Sequence, residues 1–135
     1  MGDDPASAGY VRKKHETCAQ VGMASHHIDV PGDGRQDDLL AAVDRFNADP
    51  AVDAYLIQHP APPQFDFNAA LGAMDPDKDG DGLHPVSLGK LVLQEDGPVP
   101  ATPAGIQAMF VHYGIDVAGR NVVIVGRGAQ ALLAQ

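Results

Sequence analysis

The stretch Asp75-Pro76-Asp77-Lys78-Asp79-Gly80-Asp81-Gly82-Leu83-His84-Pro85-Val86 decides between two architectures. A calcium-binding helix–loop–helix needs oxygen ligands at loop positions one, three and five, a Gly at six and a bidentate Glu at twelve. Asp75, Asp77, Asp79 and Gly80 meet the first four demands. Val86 stands where the Glu belongs, so two ligand oxygens are missing, and Pro85 resists continuation into an exiting helix. A calcium-binding module built on the Asp75–Asp79 loop is therefore the secondary reading, and the elements on either side point to a different fold.

On the N-terminal side, Ser7 suits an N-cap and Ala8–Val21 reads as a helix stopped by Gly22. Val11, His15, Cys18 and Val21 recur at helical spacing and define its inward face. Ala24–Val30 reads as a strand closed by Pro31-Gly32-Asp33-Gly34. A helix over Asp37–Asn47 follows, with Leu39, Leu40, Val43 and Phe46 on one side, and then a strand over Asp53–Gln58. A short helix, Asn68–Met74, leads into the acidic loop.

On the C-terminal side the pattern predicts a brief helix over Val86–Leu91, a Pro98-Val99-Pro100 linker and a helix from Pro103 to Tyr113 capped by Thr102. Asn121-Val122-Val123-Ile124-Val125 is β-branched and reads as a strand ending at Gly126. Strands alternating with helices predict an α/β fold with a parallel sheet. The pattern predicts one such domain over residues 1–100 and the opening of a second over residues 101–135.

The 135-residue chain is 44% hydrophobic and 20% charged, ordinary for a globular protein. A net charge of −9 argues against a nucleic-acid surface, which needs clustered Lys and Arg. Arg12-Lys13-Lys14 is a run that suits a solvated helix face or an anion contact. The single cysteine, Cys18, cannot form an internal disulfide and suits a small core residue in a reducing compartment. No long apolar run and no basic-apolar leader are present, so the expected setting is the cytoplasm, away from membranes.

Tyr10 and Lys14 lie four apart on the first helix, on one face with Cβ atoms about 5–6 Å apart. Read alone, the pair suits a surface Tyr lying along a Lys stem. Gln58 ends an apolar strand, where ligands meet open α/β sheets, although a Gln there also suits a loop backbone contact. Asp75 and Asp77 read as solvated, and Asp79 as a structural residue bonding amides of its own turn. His26 and His27 are adjacent on the expected strand and face opposite ways, a poor metal arrangement.

Four blocks occur in the order found in the bifunctional methylenetetrahydrofolate dehydrogenase/cyclohydrolase family, which the chain resembles. They are Gly2-Asp3-Asp4-Pro5-Ala6-Ser7-Ala8-Gly9-Tyr10-Val11-Arg12-Lys13-Lys14, Leu56-Ile57-Gln58-His59-Pro60-Ala61-Pro62, Lys78-Asp79-Gly80-Asp81-Gly82-Leu83-His84-Pro85 and Pro100-Ala101-Thr102-Pro103-Ala104-Gly105-Ile106. The resemblance runs from Gly2 to about Gly128.

It implies that Lys14 is the central catalytic residue and that Gln58 hydrogen-bonds and positions it. It further implies that Tyr10 packs against the folate rings and that Asp81 binds the pterin end. A carboxylate suits that last task because it accepts two N–H donors from an aminopyrimidinone edge. Thr102, with Gly126, Arg127 and Gly128 of a glycine turn, is the expected contact to NADP at the start of a Rossmann-type domain. Domain 1–100 is then a partial catalytic domain, and the implied partners are tetrahydrofolate derivatives and, in a full-length parent, a second subunit of a homodimer.

Two departures stand out. His59 occupies a position where relatives carry an apolar residue after the Gln, and Ala101 replaces the Cys of their Pro-Cys-Thr-Pro. Past Gly128 the match fails, and the family's first strand and helix are expected before Gly2, so the chain reads as an internal fragment. The implied activity is oxidation of 5,10-methylenetetrahydrofolate and hydrolysis of the product to 10-formyltetrahydrofolate, impaired in the isolated chain. A non-catalytic remnant is the remaining alternative.

Overall fold

Asparagine at position 47 shows how the first part of the chain is tied together. In the computed structural model, which describes residues 5–125, its side-chain oxygen accepts from the Tyr55 hydroxyl at 2.7 Å and from the Asp75 N–H at 2.8 Å. Its amide nitrogen donates to the Ala73 carbonyl at 2.9 Å. One side chain thus ends a helix and joins two later segments. Burial, with Asp75 and Asp44 nearby, pushes the Tyr55 phenol up to about 12, so it remains a donor.

Five α-helices are present among the described residues: α1 (Pro5–Gln20), α2 (Gln36–Ala48), α3 (Phe67–Ala73), α4 (Pro85–Leu93) and α5 (Ala101–His112). A single 3-10 turn covers Pro76–Lys78. The chain divides into two compact units, Met1–Lys78 and Asp79–Gln135.

In the first unit, Leu39 and Val43 of α2 pack with Val30, Phe65 and Ala70 as a buried cluster, joined by Leu40, Ala42, Tyr55, Ile57 and Ala61. These are the apolar positions that α2's periodicity singles out. On α1 the half-buried positions are Val11, His15 and Cys18, whereas Val21 is exposed. Helix α1 starts at Pro5, ahead of the expected Ser7 cap, because proline's fixed φ and missing N–H suit a first helical turn.

Lys78 closes α2 from outside. Its ammonium donates to the carbonyls of Phe46 at 2.9 Å, Asn47 at 3.0 Å and Asp49 at 2.7 Å. The last carbonyls of a helix lack intrahelical partners and carry partial negative charge, so a cation there satisfies both deficits. The Tyr55 N–H in turn donates to the Lys78 carbonyl at 2.9 Å.

In the second unit, Pro85 opens α4 instead of blocking it. His84 is the N-cap, with Nδ1 accepting from the Val86 N–H at 3.1 Å, and Pro85 takes the first position, where no N–H is needed. Helix α5 begins at Ala101, one residue before the expected Thr102 cap, because the Ala101 N–H is already satisfied by the Asp81 carbonyl at 3.2 Å.

The expected strands differ most. Among the described residues, Ala24–Val30 and Asn121–Val125 contain no strand residue, and Asp53–Gln58 contains a single bridge residue, Tyr55. A strand is completed by a neighbour that takes successive N–H and C=O groups, and one bridge does not make a strand. Val123 and Val125 are 86% and 97% exposed.

Lys78→Met keeps the aliphatic stem and removes the cation. It is expected to lower stability by about 2 kcal/mol, read from denaturant unfolding at neutral pH. A change within measurement error would contradict this account of how α2 is terminated.

Candidate functional site

Lys14 and Gln58 are 44 residues apart in sequence and meet in the first unit. Lys14 Nζ donates to Gln58 Oε1 at 3.1 Å. Lys14 is exposed on α1, at the edge of the half-buried Val11–Cys18 stripe, and Gln58 follows the apolar Ala54–Ile57 run. The Gln58 amide also uses its nitrogen, donating to the backbone carbonyl of His59 at 2.6 Å. Tyr10 lies one turn before Lys14 on α1 and is 66% exposed, free to cover a flat ring.

Lys14 and Gln58 both border a cavity of about 980 Å³ enclosed by α1, α2 and the segments 22–30 and 51–58. His15, which also lines it, accepts from or donates to Ser25 Oγ through Nδ1 at 2.6 Å and faces His27, with ring centroids 5.8 Å apart. His27 is therefore engaged locally within the first unit.

In the second unit the acidic loop is organised by Asp79. Its buried carboxylate accepts from the Ser87 hydroxyl at 2.7 Å, the His84 N–H at 2.8 Å and the Leu83 N–H at 3.3 Å. Burial alone pushes this carboxyl up, but the Ser87 hydroxyl and the amides of His84, Leu83 and Asp81 outweigh it and hold it below its ordinary value. The reading of Asp79 as a structural residue agrees with this geometry.

Gly82 is forced by two constraints. Its φ is +67°, and a Cβ would lie 2.4 Å from the Val99 backbone carbon. That close approach, with the Asp81 carbonyl accepting from Ala101, seats the loop on the start of α5. Asp81 is half-buried and Thr102, one residue past Ala101, is exposed. Gly126, Arg127 and Gly128 lie outside the described residues.

Asp75 Oδ1 accepts from the Asp77 N–H at 3.0 Å, while Asp79 is committed to His84 and Ser87. Among the described residues no group of three or more His, Cys, Asp or Glu side chains is placed to hold a metal.

Sequence reasoning did not assign Asn47, Ser87 or the capping role of Lys78. Each acts through a partner distant in sequence, and only Lys78 carried a local signal, a cation set among carboxylates.

The profile described as tetrahydrofolate dehydrogenase/cyclohydrolase, catalytic domain, matches residues 1–81. The bifunctional protein FolD of Syntrophotalea carbinolica is 62% identical over 128 residues, covering 95% of this chain and 44% of that protein. A 5,10-methylenetetrahydrofolate dehydrogenase structure from the silkworm Bombyx mori superposes with a TM-score of 0.93 at 35% identity, over 98% of this chain and 46% of that one. The Trypanosoma brucei methylenetetrahydrofolate dehydrogenase-cyclohydrolase, solved with NADP cofactor and inhibitor, gives a TM-score of 0.89 at 33% identity, over 98% of this chain and 48% of that one. The chain thus spans about half the length of these relatives.

Because Asp79 ionises more readily in the folded chain than in the unfolded one, its contribution is complete above the unfolded carboxylate pKa of about 3.9. It is lost as pH falls through the lower folded value. Asp79→Ala is expected to cost on the order of 3 kcal/mol at pH 7, with the gap to wild type narrowing towards pH 3 in denaturant titrations. A gap that widens on acidification would contradict the assignment.

Proposed function

The chain belongs to the tetrahydrofolate dehydrogenase/cyclohydrolase family, and from that premise we propose that it carries the folate-contacting half of a bifunctional one-carbon enzyme. The parent activity is oxidation of 5,10-methylenetetrahydrofolate to the 5,10-methenyl form, followed by hydrolysis to 10-formyltetrahydrofolate. The observation that carries the reading is the Lys14 Nζ–Gln58 Oε1 bond at 3.1 Å.

The Lys14 amine gives one N–H to Gln58 Oε1, which fixes the direction in which the rest of the group faces the cleft. In the hydrolytic step, water adds to the one-carbon bridge and loses a proton to Lys14 Nζ. Lys14 then returns that proton to the ring nitrogen as its bond to the carbon breaks, and the added hydroxyl releases its remaining proton to solvent as the formyl C=O forms. Gln suits the partner position because a neutral amide orients the amine without a carboxylate's pull toward the ammonium form. Tyr10 stacks on the reduced ring system, and Asp81 accepts from the aminopyrimidinone edge, fixing the bridge for reaction.

Thr102, exposed in the first turn of α5, suits a polar contact to the dinucleotide. NADP, when bound, supplies the hydride acceptor. The rest of its contact set falls to Gly126, Arg127 and Gly128 in this reading, with residues 1–100 the partial catalytic domain and 101–135 the opening of the nucleotide domain. In the parent, Ala24–Val30 and Asp53–Gln58 are members of a parallel sheet, the enzyme is a homodimer and the setting is the cytoplasm. No helix among the described residues is long and apolar enough to cross a membrane.

Lys14→Met in the full-length parent is expected to lower methenyltetrahydrofolate hydrolysis by at least about 100-fold, the usual reach of a positioned acid–base group. Decay of the methenyl absorbance gives the rate. Unchanged turnover would remove Lys14 from the proton path.

A further inference from the structure

We propose that His59 is a positioning residue that sets which end of the Gln58 amide faces Lys14, with Phe67 as its buttress. The role in catalysis rests on the folate reading above; the geometry stands without it. A glutamine amide can turn over and exchange its oxygen and nitrogen at little intrinsic cost, so its polarity must be imposed by a neighbour. Lys14 is a weak instrument for this, because a flexible stem lets the amine move away. A backbone carbonyl can only accept. The His59 carbonyl takes Gln58 Nε2 at 2.6 Å, which leaves Oε1 as the atom presented to Lys14 Nζ at 3.1 Å. In the reversed amide, oxygen would meet oxygen and N–H would meet N–H, and both bonds would be lost.

That carbonyl is useful only if the peptide carrying it is fixed. The His59 imidazole stands edge-on to the Phe67 ring, with centroids 5.0 Å apart and planes at 80°, a favourable aromatic arrangement. Phe67 is the first residue of α3, whose start is locked by Asp66: its carboxylate accepts from the Ala69 N–H at 2.9 Å. Asp66 is itself clamped by Gln36 of α2, through its N–H at 2.8 Å and its carbonyl at 3.2 Å. Rigidity thus passes from α2 through Asp66 and the two rings to the Gln58 amide. The same residue that departs from the family's apolar preference supplies the ring for this contact.

The test uses the 135-residue chain, no folate and limiting acetic anhydride, with acetylation of Lys14 read by mass spectrometry against Lys13, exposed beside it on α1. Phe67→Leu keeps an apolar side chain but removes the ring. The Lys14-to-Lys13 ratio is expected to rise about fivefold, the equivalent of one ordinary hydrogen bond. Phe67→Tyr should retain the wild-type ratio, and Gln58→Leu should raise it as much as Phe67→Leu.

Three results would overturn the proposal: no rise in Phe67→Leu, no rise in Gln58→Leu, or a rise shared equally by Lys13, Lys78 and Lys90, which marks general loosening. Because no substrate enters the assay, failure here is separate from failure of the folate reading, which the Lys14→Met turnover measurement addresses.

Discussion

An amine is chemically useful on an enzyme surface only when something holds it without neutralising its purpose. Here the holder is an amide oxygen, Gln58 Oε1, 3.1 Å from Lys14 Nζ. Most of the first unit bears on keeping that amide still. The Leu39–Val43 face of α2 makes the core, Gln36 of the same helix clamps Asp66, and α3 presents Phe67 towards His59. A long-range pair of this kind costs chain entropy to form, so it needs a packed frame behind it. The frame is small, because the fully buried apolar residues are few, and polar ties such as Asn47 and Lys78 make up for the modest core.

The second unit follows a different economy. The stretch Asp75–Asp81 carries four aspartates in seven residues, and Asp79, the first residue of this unit, is the one that is buried. Burying a carboxylate is tolerable when its oxygens are fully occupied by donors, and the Ser87 hydroxyl with the His84 and Leu83 amides does this. Asp79 spends its charge on shaping the loop, and the neighbouring Asp81 is half-buried. Gly82 then brings the loop backbone against Val99 and Pro100 with no room for a side chain.

The helices were legible because their signals are local. Apolar spacing marked α2, and Pro and Gly marked the ends of most elements to within a few residues. Starts shifted where a tertiary partner intervened, as at Ala101, whose N–H is taken by Asp81. Strands were not recovered, because a β-branched run such as Val122–Val125 becomes a strand only beside another one. The site divides in the same way. Asp79's structural role followed from turn chemistry, whereas the meeting of Lys14 with Gln58 came from family resemblance, since no spacing rule links residues 44 apart. His59 looked like a mere departure from the pattern until Phe67 was found against it.

The central proposal is that Lys14, held by Gln58, acts on a reduced pteridine. The most direct measurement is a titration of isotopically labelled chain with a stable tetrahydrofolate analogue, followed by NMR at the Lys14 side chain and the Gln58 amide. The account predicts that both move together along one binding curve, while Asp75 and Asp77 stay still. No saturable movement at either group, or movement at Asp75 and Asp77 alone, would contradict it.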